Sequence, residues 1–271
     1  MIENIPVIGE VLQLFADESF FGSFVQVNLV LSIIMMFYVA FFSIPYGKNY
    51  TKGKSFLRVD IPDRLAYMIS HGTGPVVYAL MKVFFPNGDF VSAQTILFLA
   101  HYSHRVLVYP WFRKSYSKPW PLESFLYYTA TNCVAGATAA RVQIFEGKNI
   151  PIWGQAIICV LFVAFAVGAA IHDYMLCNLR NAGDNGYRIP KGLLFEWISG
   201  PNYLLELLQW VSYCFFMPFS AGTAVFGLWL LVNISGRAEA NHLWYTNHFK
   251  TKYPQERTAY LPFIKNSRWF L

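Results

Sequence analysis

The stretch 20-FFGSFVQVNLVLSIIMMFYVAFFSIP-45 contains no charged side chain. The hydrocarbon core of a bilayer is about 30 Å thick, and a helix needs about 20 apolar residues to cross it. The composition of the whole chain agrees with this interpretation, because 55% of its 271 residues are hydrophobic and only 13% are charged, which is too apolar for an ordinary soluble domain. The stretch therefore predicts a membrane-spanning helix.

The same pattern recurs along the rest of the chain. Apolar segments bounded by charge, proline or glycine predict six further spans. The uncharged run 207–236 is too long for one span, and 216-FMPFSAG-222 divides it into a hairpin of two short helices. We therefore predict an all-α, polytopic membrane protein with seven transmembrane helices, forming one domain over residues 1–271. The predicted ranges are 20–45, 65–86, 92–112, 122–144, 151–172, 203–218 and 221–236.

The basic residues predict the orientation of these spans, because cytosolic loops carry an excess of Lys and Arg. Alternate connections and the C-terminal tail contain 17 of the 21 basic residues, whereas the tail before Phe20 contains only acidic charges. We therefore expect the N-terminus in the lumen or outside the cell and the C-terminus in the cytosol. Anionic lipid headgroups then account for the net charge of +6 without a nucleic-acid partner.

Several other kinds of segment and site do not fit the sequence. The four cysteines lie in or beside apolar runs without a CxxC pair, so we expect neither a structural zinc site nor a disulfide framework, and no other metal site. The acidic start and the length of the first apolar run argue against a cleaved signal peptide. There is no GxGxxG after a strand and no GxxxxGK[ST], so a bound nucleotide must be held between helices.

Polar side chains at membrane depth are costly and usually face a protein interior or a cavity. The segment 101-HYSHRVLVYP-110 places Tyr102 and Arg105 inside the third predicted span, and a guanidinium there requires an anionic partner. In the second span His71 precedes 72-GTGP-75, whose glycines and proline loosen or kink a helix and allow close backbone approach. These residues are site candidates, with an interhelical cluster that only fixes packing as the alternative.

Charged and hydrogen-bonding residues also collect on the predicted cytosolic side. Asp173 and Arg180 lie on one face of the helix that ends in 171-IHDYMLCNLR-180, where snorkelling charges alone would also explain them. The segment 187-YRIPKGLLFEWISGPNYLLELLQW-210 begins a span with polar groups. Together these residues make a cation-rich cluster that suits a phosphate-bearing cofactor. Its members are Arg180, Tyr187, Arg188, Asn202, Glu206, Arg237 and Tyr245.

Five motifs in this order resemble the membrane-embedded steroid 5α-reductase (3-oxo-5α-steroid 4-dehydrogenase) family. They are HYSHRVLVYP, HDYMLCNLR, YRIPKGLLFEWISGPNYLLELLQW, GRAEANHLWYTNHF and YPQERTAYLPFI, within a similarity that runs from about Ile61 to Phe263. The resemblance implies an oxidoreductase that reduces a C=C bond conjugated to a ketone, most simply a 3-oxo-Δ4-steroid to its 5α product. It also implies NADPH as cofactor.

The resemblance assigns the cofactor ligands residue by residue. They are Arg105, Asp173, Arg180, Tyr187, Arg188, Asn202, Glu206, Arg237, Asn241 and Tyr245. Two positions depart from the family, because Asn241 stands where a histidine is usual and Ala169 or Ala170 stands where an asparagine is usual. NADPH is expected rather than NADH, since a 2′-phosphate favours a bidentate cation; Arg113, Lys114 and Lys118 are further candidates for that contact.

The resemblance also implies a pair of residues that hold the substrate ketone, a tyrosine and a glutamate. Tyr102 matches the tyrosine, and His71 stands where the glutamate would be. We expect Tyr102 to donate its phenolic proton to the ketone oxygen, with His71 as second donor, either protonated or as the Nε2–H tautomer. A cationic His71 predicts that activity falls as pH rises through its pKa, a dependence that His71→Gln would abolish. The same replacement could instead indicate a different lipid enone.

Three alternatives stay open at this stage. A polyprenol or very-long-chain enoyl-thioester reductase would use the same chemistry on a longer substrate. A membrane methyltransferase of the isoprenylcysteine type also wraps a nucleotide-bearing cofactor with short helices, and a non-enzymatic lipid-binding protein would use the polar residues only for packing. The expected partners are a hydrophobic substrate and membrane lipid, with no obligate protein partner. The expected location is the endoplasmic reticulum membrane in a eukaryote, and a bacterial inner membrane fits equally well.

Overall fold

The computed structural model describes residues 6–41, 57, 59–85, 91–112, 118–179 and 186–262, and these are mostly helical. The predicted all-α class is therefore confirmed. The helices are α1 (Pro6–Leu14), α2 (Glu18–Phe41), α3 (Asp63–Phe84), α4 (Ala93–Ser103), α5 (Tyr109–Phe112), α6 (Leu122–Phe145), α7 (Ile152–Asn178), α8 (Pro201–Cys214) and α9 (Ala221–Phe249). Two short strands, β1 (Asp60–Ile61) and β2 (Trp120–Pro121), pair in antiparallel fashion.

The helices follow the predicted ranges with several differences. Helix α1 precedes the first span and was not predicted. Helix α7 continues six residues beyond the predicted end at 172, to Asn178, and α9 continues from the predicted end at 236 to Phe249, so it is not a short helix. Residues 42–45 of the first predicted span lie outside the described part of the chain. Within that part, the segments Glu18–Tyr38 and Ile152–Asn178 are long and apolar enough to cross a membrane.

A close glycine contact positions α3 against α6. A Cβ atom added to Gly136 would lie 2.2 Å from the backbone oxygen of Gly74, and one added to Gly74 would lie 2.9 Å from that of Asn132. The predicted close backbone approach at the GTGP segment is therefore confirmed at Gly74. Helix α3 continues through Pro75, in agreement with the predicted range 65–86.

A π-helical turn joins α4 to α5 at His104–Val108. Pro110 has no N–H to donate to the carbonyl four residues earlier, and the ring of a proline crowds that carbonyl. The backbone widens just before it, so that Tyr109 N–H donates to the His104 carbonyl five residues back. Such turns are frequent at functional sites, and this one contains Arg105.

Helix packing brings the polar residues of four helices towards one region. Helix α7 packs along α8, α8 packs on α9, and α4 contacts both α3 and α7. A 3₁₀ turn at Leu193–Glu196 and residues 198–200 lead into the first turn of α8. The start of α8 therefore lies among α7, α9 and the segment that precedes it.

Candidate functional site

The centre of the candidate site is Arg105. Its guanidinium contacts two carboxylates, with Nη1 2.6 Å from Asp173 Oδ2 on α7 and Nη2 2.9 Å from Glu206 Oε2 on α8. These side chains are between 4% and 12% exposed, so water screens the ion pairs only weakly. One cation between two carboxylates leaves a formal net charge of −1 in this ion-paired network, defined by Arg105, Asp173 and Glu206.

Hydrogen bonds extend the network along one face of α8. Asn202 Nδ2 donates to the second carboxylate oxygen of Asp173 at 2.9 Å. Gln209 Nε2 donates to His101 Nδ1, also at 2.9 Å, and the other ring nitrogen of His101 lies 4.0 Å from Glu206 Oε1. Because 202, 206 and 209 follow helical spacing, α8 presents all three side chains to α4 and α7. The extended network thus fixes three helices relative to one another.

A groove of about 210 Å³ lies beside the network, between α4 and α7. Alanines from both helices line it, with Arg105 and Asp173 among its polar residues. Val163 and Val167, on its outer side, are about half exposed. The network is therefore accessible from the side of the helix bundle.

Tyr102 lies one helical turn before Arg105 and is 5% exposed. Its hydroxyl donates to Asn132 Oδ1 on α6 at 3.3 Å. The amide nitrogen of Asn132 donates in turn to the Tyr128 carbonyl at 2.7 Å, which fixes the orientation of the amide. Tyr102 is thus directed towards the α3–α6 interface.

His71 lies at that interface in an aromatic environment. Its ring stacks on Tyr67 at 3.9 Å between centroids and meets the edge of Trp120 at 6.5 Å. His71 Nδ1 lies 3.0 Å from the Tyr67 carbonyl, which can only accept, and 3.2 Å from the Ser70 hydroxyl, which can donate or accept. The contact with the carbonyl favours a proton at Nδ1, which the neutral Nδ1–H tautomer and the protonated ring both have; of the two predicted forms it favours the protonated ring.

Three predicted cofactor residues follow one another on one face of α9. The guanidinium of Arg237 lies 5.1 Å from the ring centre of Tyr203 on α8. Asn241 Nδ2 lies 3.5 Å from the Ser199 carbonyl, and the ring of Tyr245 is buried by the rings around it. This face of α9 therefore borders the start of α8, next to Asn202.

Residues 187–200, called here the pre-α8 loop, begin with two further predicted ligands. The ring of Tyr187 meets Trp244 edge-on at 4.5 Å, whereas Arg188 is exposed. Lys118, a candidate for the 2′-phosphate, is also exposed. Arg180 lies outside the described residues, as do Arg113 and Lys114.

Residues 253–260, called here the C-terminal clasp, hold the pre-α8 loop in place. Ser199 N–H donates to the Thr258 carbonyl at 2.8 Å, and Arg257 Nη1 donates to the Pro190 carbonyl at 2.9 Å. Arg257 is 4% exposed and its other terminal nitrogen lies 3.6 Å from Glu196. The loop that carries Tyr187 and Arg188 therefore depends on a segment far along the chain for its shape.

A buried hydroxyl group links the clasp to α9. Ser199 Oγ lies 2.6 Å from His242 Nδ1 and 2.7 Å from the Tyr253 hydroxyl. Burial lowers the pKa of His242 and raises the pKa of Tyr253, so both side chains are neutral at pH 7.

The structure brings together some of the predicted residues and separates others. Arg105, Asp173, Asn202 and Glu206 belong to one network, while Arg237, Asn241 and Tyr245 lie along α9 beside it. Tyr102 and His71, the predicted pair around the substrate ketone, contact different groups: Tyr102 donates to Asn132 Oδ1, and His71 Nδ1 contacts the Tyr67 carbonyl. Two residues with hydrogen bonds to the site, Asn132 and Gln209, were not predicted. Gln209 could have been found from its helical spacing of three residues from Glu206.

The sequence of the chain is similar to proteins of one known family. Residues 118–265 match the family model described as 3-oxo-5-alpha-steroid 4-dehydrogenase. The chain is 29% identical over 259 residues to "Steroid 5-alpha-reductase DET2" of Solanum lycopersicum, covering 92% of this chain and 98% of the relative. It is 30% identical over 229 residues to "3-oxo-5-alpha-steroid 4-dehydrogenase 2" of Rattus norvegicus, covering 81% and 87%. The human protein "3-oxo-5-alpha-steroid 4-dehydrogenase 1" is 30% identical over 175 residues, covering 62% and 65%.

Proposed function

The chain belongs to the 3-oxo-5-alpha-steroid 4-dehydrogenase family, and from this premise we propose that it reduces a 3-oxo-Δ4-steroid to the 3-oxo-5α-steroid with NADPH. The predicted enzyme class, an oxidoreductase acting on CH–CH groups, is confirmed by this membership. The observation that carries the finer proposal is the ion-paired network around Arg105, one helical turn from the hydroxyl-bearing Tyr102.

The proposed setting is a multi-pass membrane protein with seven spans, its N-terminus lumenal and its C-terminus cytosolic. The apolar composition and the distribution of Lys and Arg support this topology. In a eukaryote the proposed location is the endoplasmic reticulum. The substrate would then reach the site from the bilayer, and the cofactor from the cytosol.

The residues around the start of α8 fit a dinucleotide cofactor. Asn202 Oδ1 is buried and has no hydrogen-bond partner among the described residues, so it can accept a hydrogen bond from a ligand. Asn202, Asp173 and Glu206 would hold the cofactor from α7 and α8, and Arg237, Asn241 and Tyr245 from α9. When bound, the cofactor would supply a hydride to the β-carbon of the conjugated C=C bond, and a proton added at the α-carbon would complete the reduction.

Tyr102 is proposed to stabilise the charge that develops on the substrate ketone oxygen. Its hydroxyl would turn from Asn132 Oδ1 to donate a hydrogen bond to that oxygen, and Asn132 would hold the hydroxyl in reach when substrate is absent. By analogy with oxyanion donors, such a bond lowers the barrier by about 3–4 kcal/mol. Burial of Tyr102 excludes water that would compete for the same oxygen.

His71 is proposed as the second donor, in its protonated form. Because Nδ1 is committed to the Tyr67 carbonyl, only a protonated ring presents an N–H at Nε2. This makes activity depend on pH, falling as pH rises through the pKa of His71. The same dependence should be absent from His71→Gln.

The test is NADPH oxidation by the detergent-purified protein with a 3-oxo-Δ4-steroid, a polyprenol and a trans-2-enoyl thioester, and with NADH as cofactor control. We expect steroid turnover that falls at least 100-fold in Tyr102→Phe, the scale of one oxyanion donor. Tyr127→Phe is the matched control, because Tyr127 also donates to an asparagine, Asn233, at 2.8 Å. Turnover of only the polyprenol or the thioester would reject the steroid and select that substrate class.

A further inference from the structure

His172 lies beside Asp173 on α7, is 4% exposed and belongs to none of the predicted ligands. Its Nδ1 lies 2.7 Å from the Gly168 carbonyl. Since a carbonyl can only accept, Nδ1 carries the proton and the neutral ring presents a lone pair at Nε2. That Nε2 atom is buried and has no hydrogen-bond partner in the part of the chain that the structure describes.

An unsatisfied acceptor of this kind needs an explanation. Buried polar side chains in native proteins nearly always have a partner, and a buried group without one is destabilising. The neighbouring ring is Phe195, 5.4 Å away between centroids, which offers no donor. The ring of His172 is therefore held in one tautomer, and its Nε2 atom can accept a hydrogen bond from a ligand.

A second unsatisfied acceptor belongs to Asn202, which is a hydrogen-bond partner of Asp173. Asn202 donates its amide N–H to Asp173 Oδ1, so its own Oδ1 is directed elsewhere and is also without a partner. The nearby cation, Arg105, is shared between two carboxylates. This end of the site is thus rich in acceptors and carries a formal net charge of −1. Hydrogen-bond donors without negative charge fit it, and a phosphate does not.

We propose that His172 Nε2 accepts a hydrogen bond from the nicotinamide nucleoside half of the cofactor, from a ribose hydroxyl or the carboxamide N–H. The inference rests on the proposed function. The nicotinamide half is assigned here because Arg105 connects Asp173 to the helix that carries Tyr102, whose hydroxyl must reach the reacting substrate. The phosphates then belong towards the exposed, basic end that contains Arg188.

The experiment measures nucleotide dissociation constants by quenching of tryptophan fluorescence, with the full-length protein in detergent. His172→Phe keeps a planar ring against Phe195 and removes the acceptor, whereas His172→Gln keeps an acceptor oxygen. We expect His172→Phe to weaken NADPH binding about five- to tenfold, with His172→Gln close to wild type. Binding of 2′,5′-ADP, which contains only the other half of the cofactor, should not change.

Thermal unfolding without nucleotide separates this role from packing. If His172 Nε2 bonds only to the cofactor, His172→Phe should be as stable as wild type or more stable, because the substitution removes an unsatisfied buried group. Loss of stability together with equal losses for NADPH and 2′,5′-ADP would overturn the inference, as would unchanged NADPH binding in His172→Phe. Failure of the wild type to bind NADPH would reject the proposed function itself.

The 3-acetylpyridine analogue of the cofactor identifies the donor, because it lacks the carboxamide N–H. If His172→Phe weakens binding of this analogue as much as it weakens NADPH, the contact is to a ribose hydroxyl. If the analogue binds both proteins equally, the contact is to the carboxamide. Either result supports a contact between His172 and the nicotinamide half.

Discussion

Replacing Arg105 by methionine is the sharpest test of the ion-paired network. Among the described residues, Arg105 is the cation that contacts both Asp173 and Glu206, and its replacement leaves two carboxylates that are 4% and 12% exposed. Removing one partner of a buried ion pair costs about 3–5 kcal/mol, mostly because a charge is left buried without compensation. A change of 1 kcal/mol shifts the melting temperature of a chain of 150–250 residues by about 2–4 °C. We therefore expect Arg105→Met to melt on the order of 10 °C below wild type.

A triple variant separates stability from cofactor binding. In Arg105→Met/Asp173→Asn/Glu206→Gln the buried charges are gone, and neutral replacements of buried ion pairs are often tolerated. We expect this variant to recover most of the lost melting temperature and none of the NADPH affinity. Arg64→Met is the control, since Arg64 is exposed and lies over Trp111, and it should cost about 1 kcal/mol or less. An Arg105→Met protein that melts like wild type, or a triple variant no more stable than it, would refute this account.

Three further predictions concern the helix contacts and the clasp. Gly136→Ala places a Cβ atom 2.2 Å from a backbone oxygen of α3, so α3 and α6 must separate by about 1 Å. We expect the free energy of unfolding to fall by about 1–3 kcal/mol in thermal unfolding. Gly22→Ala, which has open space around its Cβ atom, should leave the free energy of unfolding unchanged. Arg257→Met removes the hydrogen bond to the Pro190 carbonyl, so it should weaken NADPH binding and speed tryptic cleavage of the pre-α8 loop. An unchanged rate of cleavage would contradict the role of the clasp. Burial lowers the pKa of His242 in the folded protein, so as pH falls below about 6.5 the imidazole is protonated in the unfolded chain before it is protonated in the folded one. The folded state therefore loses stability below that pH. His242→Asn should show a smaller drop in melting temperature between pH 7.5 and 5.5 than wild type.

The sequence predicts the helices well because the relevant signal is local. Apolar runs and their boundaries place α3, α6 and α7 within a few residues of their observed starts. Helix α9 is longer than expected because its second half carries polar and aromatic residues that pack on protein, and hydropathy alone does not detect such a helix. Helix α1 was missed for the related reason that it is too short to span a bilayer.

The site is less predictable, because its contacts join residues far apart in the chain. A lone guanidinium in an apolar span indicates a buried anion without saying which one, and the structure supplies Asp173 and Glu206 together. The hydrogen bond of Tyr102 joins α4 to Asn132, 30 residues further along the chain on α6, and no local pattern indicates that pair. The unsatisfied atom of His172 follows from a tautomer that only the Gly168 carbonyl reveals.

The C-terminal clasp has a consequence for the order in which the protein is made. The pre-α8 loop emerges from the ribosome before α8 and α9, yet the Ser199 N–H and the Pro190 carbonyl bond to residues 258 and 257, which are translated after α9. During synthesis there is therefore an interval in which the helices have been translated while the loop still lacks these two hydrogen bonds. A nascent chain stopped between α9 and Tyr253 should therefore lack the closed form of the proposed cofactor site. The candidate site is complete only once translation has passed the clasp, because the shape of the loop depends on residues that are translated after α9.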